Sequence, residues 1–438
     1  MFDSSSIIVG LEIGTSKVCA VVGEFDRDGA GLNIVGLGQA RSRGVRKGEI
    51  VNAANAEEDV RQAIVEAEQM ADVEIRSVYL GVTGGHISGF NNRGVHPVVS
   101  ADREISEDDV QDVVRNAKAI NLPAENSVLH AVRQHFLVDG QDSITNPVGM
   151  LGARLEVDVH VVHGHLNRLQ NAIRVVKGLQ LEVDEVVFNG LASSLALLTN
   201  EQKELGALVI DIGGGTTDYA VYAGGVIKHT GVLAVGSDHV SNDLAYGLKV
   251  PLGRAEQLKI NHGAALGDWP CPPSKPPPSP SELAVRGVEG GEGHKSVDDA
   301  VKGQVTTLTR ELGLPLKAVN LGHLRRIMSL RLEEIFQLVG QDVEQAGLLD
   351  YLRAGVFLCG GGARVPDIAK LAERVLQLPV CVGKTNSVSG LKSALDQPEF
   401  AAAIGLVKFG SFKSRKREGR PTLTQEIKGA LSRILSRG

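Results

Sequence analysis

Apolar and polar positions alternate between two periods along this chain. Residues 7–23 read as strand, glycine turn, strand. Over 55–71 the period changes, and Val60, Ile64, Ala67 and Met70 recur at helical spacing. Residues 77–82 predict a strand, 166–179 a helix and 182–188 a strand. Two strands follow at 208–212 and 219–223, the second leading into a hairpin through Gly224-Gly225. Helical periodicity returns over 321–349, then a buried strand at 355–359. A helix is expected over 366–376, with its proline at a tolerated early position. Strands alternating with helices predict an α/β fold.

Residues 86–165 break this pattern. Short strand candidates surround one helix, whose start is capped and charged by Ser106-Glu107-Asp108-Asp109. Its apolar face is Val110, Val113, Val114 and Ala117. Residues 155–162 alternate like a half-buried strand. The stretch predicts a small α+β unit inserted into the larger domain.

Length adds that 438 residues suit two to four compact units. An apolar content of 42% argues against global disorder, and 4% aromatics argues against a stacking platform for single-stranded nucleic acid. Nucleic acid is therefore not an expected partner. Cys19, Cys271, Cys359 and Cys381 lie far apart, so reduced thiols are expected rather than zinc or disulfides. Residues 1–6 lack a signal pattern, and no apolar run is long enough to span a bilayer. Seven of the 16 prolines fall in 269–280, and glycines cluster at 287–293, predicting an exposed, mobile loop over 269–299. Trp269 beside it reads as a loop residue. His130, His135, His160, His163 and His165 fall on separate elements of the insertion, and structural or surface roles are expected for them.

The candidate chemistry lies in two similar turns. The first is Ile8-Val9-Gly10-Leu11-Glu12-Ile13-Gly14-Thr15-Ser16-Lys17. The second is Leu208-Val209-Ile210-Asp211-Ile212-Gly213-Gly214-Gly215-Thr216-Thr217-Asp218. Both run strand, acid, apolar residue, glycine, hydroxyl. Glycine lets backbone N–H groups approach a phosphate, a hydroxyl adds a donor, and an acid at the strand end can hold the water shell of magnesium. A third run, Gly360-Gly361-Gly362, ends a buried strand and leaves room for a flat ring against the backbone.

These motifs, in this order, resemble those of the actin-like ATPases, the superfamily of actin, sugar kinases and the heat-shock chaperone ATPase domains. The chain is more closely similar to the FtsA family of bacterial division proteins over roughly 1–410. Further stretches carrying the resemblance are Gly81 to Ile87, Asn189 to Ser194, Val240 to Leu248, Ala255 to Lys259 and Gly360 to Ala363. The insertion at 86–165 adds to it, because actin and the sugar kinases lack one there.

The resemblance implies an actin-like ATPase fold of duplicated RNase H-like lobes. Subdomain 1A would comprise 1–84 and 166–203, 1C 85–165, 2A 204–236 and 345–407, and 2B 237–344. A basic linker would follow at 408–421 and an amphipathic helix at 422–438. Carried over by position, Gly14, Thr15, Ser16 and Lys17 are expected at the nucleotide's outer phosphates. Gly213, Gly214, Gly215, Thr216 and Gly236 should grip them from the other lobe. Asp211, and Glu12 where many relatives have Asp, should order Mg2+ through water. Glu256 and Lys259 should reach the ribose and base of ATP, with Gly361, Gly362 and Ala363 behind the adenine. Filament-forming relatives such as MreB place a water-orienting glutamate where this chain has Asn189. Asparagine cannot act as a general base near neutral pH. At most a slow ATPase is expected, with ATP acting mainly as a conformational ligand.

The charge is uneven. Residues 408–438 hold nine Lys or Arg against two acids, a net +7, leaving −13 on the other 407 residues of a −6 chain. The tail is thus the expected contact with any polyanion. Wound as a helix, 422–437 puts Leu423, Ile427, Ala430, Leu431, Ile434 and Leu435 on one face, flanked or opposed by Lys428, Arg433 and Arg437. That is the pattern of a helix lying in a lipid interface, although packing on another protein is also open. In the FtsA family this terminus is a membrane anchor. Subdomain 1C serves contacts between protomers, and a 2B helix carries an Arg and a Glu that receive the C-terminal peptide of FtsZ; Arg331 and Glu334 match them. The expected protein self-associates into filaments and tethers FtsZ to anionic lipid. It would sit on the cytoplasmic face of the inner membrane, at the division site with other division proteins. A sugar kinase of the same superfamily would leave the tail unexplained. A PilM-like pilus-assembly adaptor would share the insertion but be soluble.

Overall fold

The computed structural model describes residues 7–25, 31–267, 305–307, 318–386, 388–391 and 396–418. In chain order the first lobe begins with β1 (Ile7–Ile13), β2 (Lys17–Phe25), β3 (Leu32–Arg41), the two-residue strands β4 (Val45–Arg46) and β5 (Glu49–Ile50), α1 (Ala53–Ala71) and β6 (Ser77–Val82). The insertion holds β7 (Ser88–Pro97), α2 (Glu107–Lys118), β8 (Asn126–Val138), β9 (Gln141–Ile144) and β10 (Arg154–His165). Then come α3 (Leu166–Gly178), β11 (Glu182–Phe188), α4 (Asn189–Leu197), α5 (Asn200–Leu205), β12 (Ala207–Ile212), β13 (Thr217–Ala223) and β14 (Val226–Leu233). The rest comprises α6 (Ser237–Leu248), α7 (Leu252–His262), β15 (Val305–Thr307), β16 (Ala318–Asn320), α8 (Leu321–Gln345), β17 (Gly355–Cys359), α9 (Ile368–Leu376), β18 (Val380–Val382), β19 (Ser389–Gly390) and α10 (Ala401–Glu418).

Three sheets carry the architecture. The first has the order β11-β6-β1-β2-β3-β19, the second β14-β13-β12-β17-β18, and the insertion β7-β10-β8-β9. The first two share one plan. A hairpin opens each (β1/β2 and β12/β13), and the first strand of each hairpin takes a parallel neighbour on its other side, β6 or β17. All six residues of β12 and all seven of β13 are buried, which is why they read as continuous apolar runs rather than alternating ones.

The chain divides into two compact units. One holds residues 1–239, 335–364 and 372–438, and the other 240–334 and 365–371. In the larger unit, α4 is buried on nearly every side, with eight of its nine residues inside. A helix apolar all round belongs in a core rather than on a surface. It meets strands of both sheets, and Ser194 Oγ lies 2.9 Å from Tyr222 Oη. α10 crosses it so closely that a Cβ on Gly405 would stand 1.8 Å from the Ala192 carbonyl oxygen. The insertion is a four-stranded sheet with α2 on one face, capped by the reciprocal Ser106–Asp109 box that the sequence announces. Its His160 is fully buried, with Nδ1 2.8 Å from Asn91 Oδ1 and Nε2 2.9 Å from Thr230 Oγ1 on β14.

The C-terminal boundaries differ from expectation. Residues 389–407 were expected in the second lobe, yet β19 extends the first sheet beside β3, and α10 packs on β1, β6 and α4. Residues 408–418, expected in the basic linker, instead continue α10 to Glu418. Its Lys408 is buried and donates to the Asn386 carbonyl at 2.9 Å and Asn386 Oδ1 at 3.0 Å. A lysine counted as linker charge thus closes a helix against the core. The amphipathic helix expected at 422–438 and the 269–299 loop fall outside the described residues.

The smaller unit contains α7, most of α6 and the first part of α8. Leu244, Leu258, Leu324, Met328, Leu332 and Leu371 are among its buried apolar residues. Each fully buried apolar side chain contributes roughly 1.5–3 kcal/mol.

Candidate functional site

The two predicted glycine loops are built alike. Gly14 N–H donates to the Lys17 carbonyl at 3.0 Å, and Gly213 N–H to the Thr216 carbonyl at 2.9 Å. Each loop joins the two strands of its hairpin, so each strand-end acid precedes the turn at the same offset. The loops face one another within the larger unit. A Cβ on Gly214 would lie 3.2 Å from Ser16 Cβ, and one on Gly215 2.6 Å from Thr15 Oγ1. Glycine is required here for loop-to-loop approach as well as for any ligand.

Gly236 closes the second loop from above. Its Cβ would stand 2.6 Å from the carbonyl oxygens of both Gly213 and Gly214, and the next two N–H groups, of Ser237 and Asp238, donate to those same carbonyls at 2.9 and 2.8 Å. The third glycine run leaves β17 through Gly360, at φ +81°. Gly362 packs against Ile212, whereas nothing stands within 4 Å of where a Gly361 Cβ would be. Gly361 is exposed at the start of a short 3-10 turn, Gly361–Arg364.

Three carboxylates lie beside the loops, Asp211 and Asp218 buried and Glu12 half-buried. Asp211 on β12 sits opposite Asp218 on β13, and Glu12 ends β1. Like charges facing each other across a hairpin are destabilising unless something positive or a proton lies nearby. Burial, opposed by Lys17 and reinforced by Asp211, pushes Glu12 up to about 7. Burial also raises Asp211, against the opposing hydrogen bonds from Ser193 and Cys359. Asp218 is raised well above the carboxylate range by burial and by the charge of Asp211. Glu12 Oε2 is buried with no hydrogen-bond partner. An orphaned oxygen beside two raised acids fits a hydrated cation. Among the described residues no three ligands are arranged to bind a metal directly, so contact through water is the mode this donor set allows.

Several participants were not singled out among the candidate site residues. Ser193 Oγ donates to Asp211 Oδ2 at 2.5 Å, and Thr83 Oγ1 donates to Asp218 Oδ1 at 2.5 Å. Asp218 itself was legible as the seventh residue after Asp211, the spacing that sets two positions face to face across a tight hairpin. Asn189 opens α4, buried, with Oδ1 unpartnered. Lys17, expected at phosphate, instead donates to the Glu399 carbonyl at 2.8 Å and lies 3.9 Å from the Phe400 ring centroid.

The remaining predicted residues lie in the smaller unit. Glu256 and Lys259 form an ion pair at 2.7 Å on α7, and Ser241 Oγ donates to Glu256. Arg331 pairs with Glu334, as the spacing suggests, and also forks onto Asp243 at 2.6 and 3.1 Å. The membrane-face residues Leu423, Ile427, Leu431, Ile434, Leu435, Lys428 and Arg433 lie outside the described region.

Comparison with known proteins adds identity to this geometry. The family model "Cell division protein FtsA" matches residues 208–405, and "SHS2 domain inserted in FTSA" matches 84–163. The chain is 37% identical to the cell division protein FtsA of Pseudomonas aeruginosa over 93% of its length and 90% of that protein's. It is 36% identical to the Escherichia coli protein over 92% and 90% of the two chains. It is also 36% identical to the Borreliella burgdorferi protein over 97% and 98%. Among solved structures, the PilM–PilN type IV pilus biogenesis complex aligns at TM-score 0.61 and 16% identity, covering 92% of this chain and 98% of that one. MreB5 of Spiroplasma citri bound to ADP aligns at 0.53 and 14%, covering 95% and 99%. These likenesses establish the actin-like ATPase fold with its inserted SHS2 domain, and the sequence relatives place this chain in the FtsA family of bacterial cell division proteins.

Proposed function

We propose that this chain is an ATP-binding, self-associating division protein that ties FtsZ filaments to the cytoplasmic face of the membrane. The observation that supports it most is the pair of facing glycine hairpins over three buried acids, in a chain of the FtsA family. Backbone N–H groups and the hydroxyls of Thr15, Ser16 and Thr216 hold the phosphates. Asp211, Asp218 and Glu12 hold the water shell of magnesium, which when bound would supply positive charge beside acids whose pKa values are raised. Ser193 and Thr83 fix the carboxylate orientations. Gly361 to Ala363 back the adenine, and Glu256 and Lys259 serve the ribose and base. Hydrolysis is slow, because Asn189 has no basic atom to take a proton from water.

Arg331 and Glu334 receive an FtsZ tail peptide. The basic terminus binds anionic lipid, and assembly multiplies a weak single-tail contact into stable attachment. No helix among the described residues is long and apolar enough to cross a membrane.

Co-sedimentation of the full chain with anionic vesicles, Mg-ATP and an FtsZ C-terminal peptide tests this. The peptide should pellet with the intact protein and stay in solution when residues 421–438 are removed. A protein that never pellets would instead act as a soluble adaptor, and the tethering role would be wrong.

A further inference from the structure

Between β4 and β5 the chain turns through Lys47 and Gly48, at φ +50° and +77°. Two consecutive left-handed residues make the mirror-image turn of tight hairpins, a setting for Asn, Asp and Gly. Lysine there is strained, and such strain persists where the surroundings enforce it and often at functional sites.

The surroundings are the two phosphate loops. Gly48 N–H donates to Thr15 Oγ1 at 3.0 Å in the first loop. In the second, a Cβ on Gly215 would come within 2.7 Å of Lys47 Cα and 2.8 Å of its nitrogen. A Cβ on Gly48 would lie 2.8 Å from Thr83 Cγ2, beside the residue that holds Asp218. The turn therefore contacts both loops and the support of one buried acid.

Charge gives the reason for a lysine. The ionisable side chains beneath the loops are Glu12, Asp211 and Asp218, all acids, together with Lys17. Lys17 is engaged by Glu399 and Phe400. A polyphosphate brought to this cradle adds several negative charges and needs a cation from the protein besides any metal. Lys47 is exposed, and its ammonium enters no ion pair among the described residues. We propose that Lys47 is a phosphate-binding residue, its ammonium contacting the polyphosphate of a nucleoside triphosphate held between the two loops. This rests on the nucleotide-binding reading above.

The test is titration of the full-length protein with a fluorescent ATP analogue and, by competition, with ATP, ADP and adenosine. Wild type is compared with Lys47→Gln, Lys47→Arg and Lys47→Gly, each first checked for its nucleotide-free melting temperature. Lys47→Gln should lose at least tenfold in ATP affinity, with adenosine binding unchanged, and Lys47→Arg should recover most of the loss. Lys47→Gly relieves the strained turn, so it should melt no lower than wild type yet bind ATP as poorly as Lys47→Gln. Glutamine and wild type binding ATP within twofold of each other would overturn the Lys47 assignment and leave the nucleotide reading standing. Wild type failing to bind any of the nucleotides would overturn both.

Discussion

Glu12 offers the sharpest quantitative test. The residue is half-buried with its Oε2 shut off from solvent, and desolvation raises its pKa from an ordinary 4.5 to about 7. A group that holds its proton more tightly in the folded state destabilises that state as pH rises. The cost is absent below about 4.5, grows between 4.5 and 7, and then levels off. At 1.36 kcal/mol per unit, the full penalty is about 3 kcal/mol. Glu12→Gln keeps the shape and removes the titration. In buffer free of magnesium and nucleotide, urea unfolding of both proteins at pH 5 and pH 8 isolates the effect. Contributions from His130 and His160, which run in the opposite sense, cancel in the comparison. The variant's stability relative to wild type should rise by roughly 3 kcal/mol between the two pH values. Mg-ATP should shrink the gap at pH 8. A difference that stays constant from pH 5 to 8 would refute the claim that an unneutralised acid is buried under the first loop.

The close crossing of α4 and α10 makes Gly405→Ala costly, roughly 1–3 kcal/mol, seen as a lower melting temperature; an unchanged melt would show that the helices separate freely. Asn189→Glu supplies the missing base and should raise ATP turnover at least tenfold over wild type in a steady-state phosphate-release assay; an unchanged rate would remove Asn189 as the cause of slow hydrolysis. Glu334→Ala breaks a largely exposed pair worth about 0.2–1 kcal/mol, so it should weaken FtsZ-peptide binding with little change in melting, whereas Arg331→Ala also frees Asp243 and should lower both. Equal melting losses in the two would refute that separation. Burial holds His160 neutral down to about 4, so the fold should lose stability as pH falls from 6.5 toward 4. His160→Asn should flatten that limb in acid-unfolding curves, and an unaltered slope would mean His160 is not its source.

Much of the site was written locally. A strand, an acid and a glycine turn are fixed by neighbours a few residues away, because backbone sterics and a hairpin's register act at short range. The two loops, the third glycine run, the inserted sheet and helix, and the Arg331–Glu334 pair could all be read without coordinates. The tertiary structure decided what depends on distant segments meeting. Lys47 and Thr83 lie against the loops because separate turns pack against Thr15, Gly215 and Asp218. Lys17 looks outward to Glu399, 382 residues along the chain. Lys408 is core rather than linker because α10 returns to the first sheet. The carboxyl of Glu12 is raised because desolvation and the charge of Asp211, 199 residues along the chain, outweigh Lys17. Sequence by itself determined which local shapes form, since those are set by torsion and spacing; which charges lose their water was decided by packing, because desolvation depends on everything that closes around a group.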